Sequence, residues 1–139
     1  MEQSVLITIK NPDATISPVY KIARIIYAQT HGSSLTAVEA FASMIANISR
    51  ASGLSVLDII SDKNIFDAND VNSANHEYLS VPANNRAFQM CLRTAQRMLS
   101  GVLPDTCYGA TRFHYADTIP SWATSRGYIA DIDGILFYL

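Results

Sequence analysis

The chain has 139 residues, 49% hydrophobic and 16% charged, a length and composition that fit one folded domain and exclude intrinsic disorder, which needs low hydrophobicity and high net charge. A net charge of -2, a pI near 5.8 and ten scattered Lys and Arg residues leave no basic footprint for a phosphate backbone, so nucleic acid is not an expected partner. No apolar run nears the roughly 18 residues that cross a bilayer, and residues 1–12 lack the charged and long apolar regions of a secretory signal, so neither membrane insertion nor a Sec address is expected.

Val5 to Ile9 is a short β-prone run ended by Asn11-Pro12-Asp13, an edge strand or arm within residues 1–16. Ser17 and Pro18 open a helix as N-cap and first helical residue, and Gly32 closes it as the C-cap glycine, giving a helix from Pro18 to His31. Val19, Ile22, Ala23 and Ile26 form its apolar stripe, which continues by three to the polar Gln29. Thr36 and Glu39 have the spacing of a capping box, and Val38, Phe41, Ala42 and Ile45 make the stripe of a second helix ending near Ser49. A short helix over Val56 to Ile60 precedes a polar segment, Ser61 to Pro82, whose length without periodicity points to a functional role. The next helix runs from Asn85 to Ser100, with Phe88, Cys91, Leu92, Ala95 and Leu99 on one face and Gly101 as its stop. Ala110 to Tyr115 reads as a strand, and Asp133-Gly134 joins Tyr128–Ile132 to Ile135–Tyr138 as a hairpin. The expected fold is α+β, mainly α, in a single domain.

Cys91 and Cys107 are too few for a zinc site or a disulfide framework. Burial of Cys91 on its helix face and a Cys91–Cys107 bridge in an oxidising compartment both remain open. His31 and His76 lack partners at metal-ligand spacing, so no metal or other cofactor is expected. A lone histidine such as His114, between two aromatic residues on a strand, is ordinarily structural.

Several segments, in order, resemble one family. Ala23 to Gly32, with Tyr27-Ala28-Gln29, is similar to the segment in which cell wall hydrolases of the spore-cortex-lytic-enzyme (SleB-like) type carry an aromatic residue, a small residue and a glutamate. Ala42 to Asn47 resembles the family's A-A-V-I-L-N, and Phe66 takes the place of the phenylalanine of its Q-F-S motif, after Ile65 instead of Gln. Cys91 to Asp105 resembles the helix and turn of alphaproteobacterial members. Gly109 to His114 is similar to G-A-T-H-Y-H, followed by Pro120-Ser121-Trp122-Ala123 and the terminal Ile135 to Tyr138.

This resemblance implies a small lysozyme-like domain with a C-terminal β-hairpin that acts on peptidoglycan glycan strands at the bond between N-acetylmuramic acid and N-acetylglucosamine, as a muramidase or a lytic transglycosylase. The family's general-acid glutamate falls at Gln29, whose amide has no proton to give. Two explanations stay open: a substitution that silences an otherwise intact glycosidase, or a natural binding or assembly module of a secretion or phage-like machine. The resemblance implies substrate contacts for Phe66, Thr111 and His114, while Tyr27 and Trp122 are aromatic candidates for stacking on sugar rings. A second carboxylate, where the chemistry needs one, would come from Asp62, Asp67, Asp70 or Glu77, none of which is selected by spacing; Glu39 is read as a capping residue. The implied location is the periplasm or cell wall, reached without a Sec signal in this chain or from a trimmed sequence.

Overall fold

A computed structural model describes residues 17–139; the predicted edge strand at Val5 to Ile9 and the rest of the arm lie outside the described residues. Four α-helices are followed by a small antiparallel sheet: α1 Pro18–Thr30, α2 Leu35–Ser52, α3 Val56–Ile60, α4 Arg86–Leu99, β1 Arg112–Tyr115, β2 Tyr128–Ile132 and β3 Ile135–Tyr138. The chain is therefore α+β and mainly α, and no described helix is long and apolar enough to cross a membrane.

Helix α1 begins where Ser17 Oγ accepts the Tyr20 N–H and Pro18 supplies a residue whose missing N–H costs nothing in the first turn. Its end differs from expectation by one residue. His31 itself takes the left-handed conformation at φ 55°, and Gly32 follows at φ 64°. Gly32 is required there on two counts, because a Cβ would also stand 2.6 Å from Cβ of Ala87 on α4. The close approach of the two helices at this point is what Gly32 allows.

Far from showing a single buried stripe, α1 is the central helix. Ile22, Ala23, Ile25, Ile26 and Ala28 are all buried because α2, α3, α4 and the polar segment pack around it. Arg24 stays on that buried helix by donating to the carbonyls of Leu79 and Val81 at 2.9 and 2.8 Å, with its guanidinium 5.0 Å from the Phe88 ring centroid. It thereby ties the far end of the polar segment to α1.

The capping box at Thr36 and Glu39 is not formed. Ser34 is the N-cap of α2, accepting the Ala37 N–H, and Glu39 instead pairs with Arg97 of α4 at 2.7 Å. Ser33 and Ser34 both donate to Asp133 in the distant hairpin, so tertiary contacts select which serine or threonine caps the helix. The helix runs to Ser52, three residues beyond the expected Ser49, and stops at Gly53 with φ 76°. Helix α4 starts one residue later than expected, with Asn85 as its N-cap, and Leu99 is exposed while Met98 takes the buried place at that end. Cys91 and Cys107 are both buried in the core and both are free thiols, so the alternative disulfide is not formed.

The hairpin forms as the Asp133-Gly134 pair predicts, with φ of 53° and 80° at the two turn residues. Strand β3 is central, in the order β1-β3-β2, with Phe113 opposite Phe137 and Arg112 opposite Tyr138. Alternation along β1 divides its residues between two faces. Phe113 packs on Phe41 and Phe66, which anchors the sheet to the helices, whereas His114 and Arg112 meet Trp122 on the other side.

Candidate functional site

Gln29 ends α1 at the junction of helix, polar segment and sheet, and is 2% exposed. Both ends of its amide are engaged. The carbonyl oxygen accepts the Ala68 N–H at 2.9 Å, and Nε2 donates to Asp67 Oδ1 at 2.8 Å and to the Tyr115 hydroxyl. Tyr115 in turn donates to the Gln29 backbone carbonyl at 2.8 Å. With its own proton committed, that hydroxyl offers only a lone pair to the side chain, so this position calls for two donor hydrogens and one acceptor, the inventory of an amide.

Asp67 is the one of the four predicted carboxylates that reaches this point. Its other oxygen accepts from Ser73 Oγ and, at 2.9 Å, from Asn75 Nδ2. Asn75 also donates to the Tyr115 hydroxyl at 3.2 Å, and its carbonyl lies 2.8 Å from His31 Nε2. The His31 ring stacks on Tyr78 at 3.9 Å. A hydrogen-bonded chain thus runs from the helix end through the polar segment into the sheet. The turns holding it are two short 3-10 helices, Asp67–Asn69 and His76–Ser80, in the segment where the sequence shows no periodicity. Burial pushes the Tyr115 phenol upward, and the adjacent Asp67 charge adds to the shift; Tyr115 is thus held as a neutral hydroxyl.

A cleft of about 650 Å3 opens beside this network, lined by Asp67, Asn75, His31, Tyr115, His114 and Trp122 among others. Gln29 is not in its wall but stands behind Asp67 and Tyr115. The expected acid position therefore reaches the cleft only through those two side chains. His114 is 8% exposed, with Nε2 3.0 Å from the Tyr138 hydroxyl and Nδ1 2.8 Å from its neighbour's carbonyl. It is both a structural histidine and part of the cleft wall. Trp122, 37% exposed, lines the cleft beside it.

Three of the proposed contacts stand elsewhere. Phe66 is completely buried between Phe41 and Phe113, and its role is to seat the sheet on the helices. Tyr27 faces a separate recess of about 310 Å3 with Tyr78 and Val81, on another side of α1. Helix geometry explains this: the two-residue step from 27 to 29 turns the side chain by about 200° around the axis. Thr111 lines a smaller recess of about 210 Å3 that joins the cleft at Trp122. Asn75 and Tyr115 were not singled out by the sequence, since a polar residue in an aperiodic loop and an aromatic at a strand end carry no local signature. No cluster of three metal-ligating side chains is present among the described residues.

No family model, curated protein or solved structure matches this chain.

Proposed function

We propose that this chain is a lysozyme-like domain that binds peptidoglycan glycan strands in the cleft between the polar segment and the sheet, without cutting them. The observation that carries the reading is the amide of Gln29. It falls at the position that the resemblance gives to the hydrolases' acid, and both its N–H hydrogens and its carbonyl oxygen are engaged by Asp67, Tyr115 and Ala68. A protonated carboxyl has a single hydrogen to offer, so it could match only one of the two bonds that Nε2 makes, to Asp67 Oδ1 and to the Tyr115 hydroxyl. The network suits a permanent amide better than an acid that must cycle its proton. Support for a glycan comes from the cleft's lining: polar groups from Asp67, Asn75 and His31, and the partly exposed Trp122 as an amphipathic surface for a sugar ring. The cell wall or periplasm is the corresponding location, and a cell-wall-crossing secretion or phage-like machine the corresponding assembly.

The second reading is a muramidase or lytic transglycosylase silenced at Gln29, favoured by Asp67, a cleft-facing carboxylate 2.8 Å from the amide nitrogen. Such a neighbour would raise the pKa of a glutamate at that position and keep it in its proton-donating form near neutral pH. Purified sacculi separate the two. Native protein is expected to co-sediment with sacculi and release no muropeptides. Release by Gln29→Glu alone would establish the silenced enzyme; equal release by both proteins would remove the acid from position 29, and absence of sedimentation would refute glycan binding.

A further inference from the structure

The cleft beside Asp67 continues past Trp122. The 210 Å3 recess shares Asn64, Ile65, Phe113 and Trp122 with it and adds Thr111 and Arg112, so the two form one groove along β1. At about 3.3 Å per residue, Arg112 lies about 10 Å along the strand from Tyr115, a separation comparable to the length of a disaccharide. The groove is polarised. Asp67, Asp117 and the exposed Lys63 line the larger part together with Tyr115, and Arg112 lines the smaller part.

Arg112 is held in place although it is exposed. Its Nε donates to the Leu139 backbone oxygen at 2.9 Å, and its guanidinium carbon sits 4.7 Å from the Trp122 ring centroid. The ring is itself fixed edge-on against Tyr138 at 5.2 Å and His114 at 5.8 Å. Among the described residues neither terminal nitrogen of Arg112 makes a hydrogen bond. A planar guanidinium whose plane and stem are set, with its terminal N–H groups left over, presents the fork that matches a carboxylate. Setting the rotamers in advance also reduces the entropy lost on binding.

We infer that Arg112, positioned by Trp122, is a carboxylate receptor that makes this groove select an acid-bearing glycan over a neutral one. The inference rests on the glycan-binding reading above. In peptidoglycan the carboxylate belongs either to the lactyl group of a muramic acid freed of its peptide or to the stem peptide, and both present the same group to the arginine. Lys63 is exposed and has no hydrogen bond, ion pair or ring contact among the described residues, so Arg112 is the cation whose geometry is fixed.

Titration calorimetry with three glycans tests this: chitotetraose, the matching tetrasaccharide of alternating N-acetylglucosamine and N-acetylmuramic acid with free lactyl carboxylates, and that tetrasaccharide with its stem peptides. Native protein is expected to bind one or both acidic ligands about fivefold or more tightly than chitotetraose, with the gap closing as salt is raised. The arm with the larger gap identifies which carboxylate is read. Arg112→Gln should abolish the gap, read as the ratio of acidic to neutral ligand affinity within the same variant, and Arg112→Lys should keep only part of it. A gap that persists in Arg112→Gln, or native protein that binds chitotetraose equally well, overturns the role of Arg112 while leaving glycan binding intact. Failure to bind any of the three overturns both.

Discussion

Replacing Gln29 with glutamate should convert a pH-insensitive contact into a steep pH dependence of stability. The new carboxyl would lie 2% exposed, with one oxygen in the place of Nε2, 2.8 Å from Asp67 Oδ1. When protonated it can still accept from Ala68 and donate to Asp67, so only the bond to the Tyr115 hydroxyl is lost, a cost of about 1 kcal/mol. When ionised beside Asp67, two unit charges about 3 Å apart repel by roughly 5 kcal/mol at an effective dielectric constant of about 20. The folded protein therefore retains the proton, and the folded pKa of the new group is raised above its unfolded value of about 4.3. A group raised in this way contributes its stability fully below the unfolded pKa and loses it as pH rises toward the folded pKa. Urea denaturation of both proteins from about pH 4 to pH 8 should accordingly show a difference of about 1 kcal/mol at the acid end that widens by up to about 1.4 kcal/mol per pH unit. Adding Asp67→Asn to the variant should flatten the trend. A difference independent of pH, or a carbon-13 titration of the introduced carboxyl in the ordinary glutamate range, would refute the geometry assigned to Gln29 and Asp67.

Gly32→Ala should destabilise the fold by about 2 to 3 kcal/mol, since it combines a positive φ with a Cβ 2.6 Å from Ala87; thermal melting checks this, and a change within 0.5 kcal/mol, roughly the size of a neutral surface substitution, would contradict the helix contact. Arg24→Ala should release the polar segment before the rest of the domain, because the Leu79 and Val81 carbonyls lose their donor. Amide exchange in residues 61–82 should accelerate at least tenfold while that of α1 and α2 changes by less than the global loss of stability; uniform acceleration would show that the segment does not open separately. Burial pushes the Cys91 and Cys107 thiols up to about 12, so at pH 8 a disulfide reagent should label neither in the native protein and both in urea. Prompt labelling of native protein would be inconsistent with their burial.

Local patterns determined much of this molecule. Pro18 after a capping serine, the apolar spacing of α1, α2 and α4, and Asp133-Gly134 between two β-prone runs each specify a local geometry through φ preferences and side-chain periodicity, which depend on near neighbours alone. The same kind of local evidence misassigned Thr36 and Glu39, because the choice of Ser34 as cap depends on Asp133 about a hundred residues away and Glu39 is drawn to Arg97. It also put Tyr27 beside Gln29 at the site, although two steps along a helix turn a side chain to the opposite side. Phe66 was legible as a significant aromatic but not as a core residue, since burial against Phe41 and Phe113 arises only when the sheet docks. Helical spacing placed Gln29 at the end of an apolar stripe. What makes that position a site was decided by tertiary structure: Asp67, Asn75 and Tyr115 come from an aperiodic loop and a distant strand, and only packing around α1 brings their polar groups to the one buried amide that requires them.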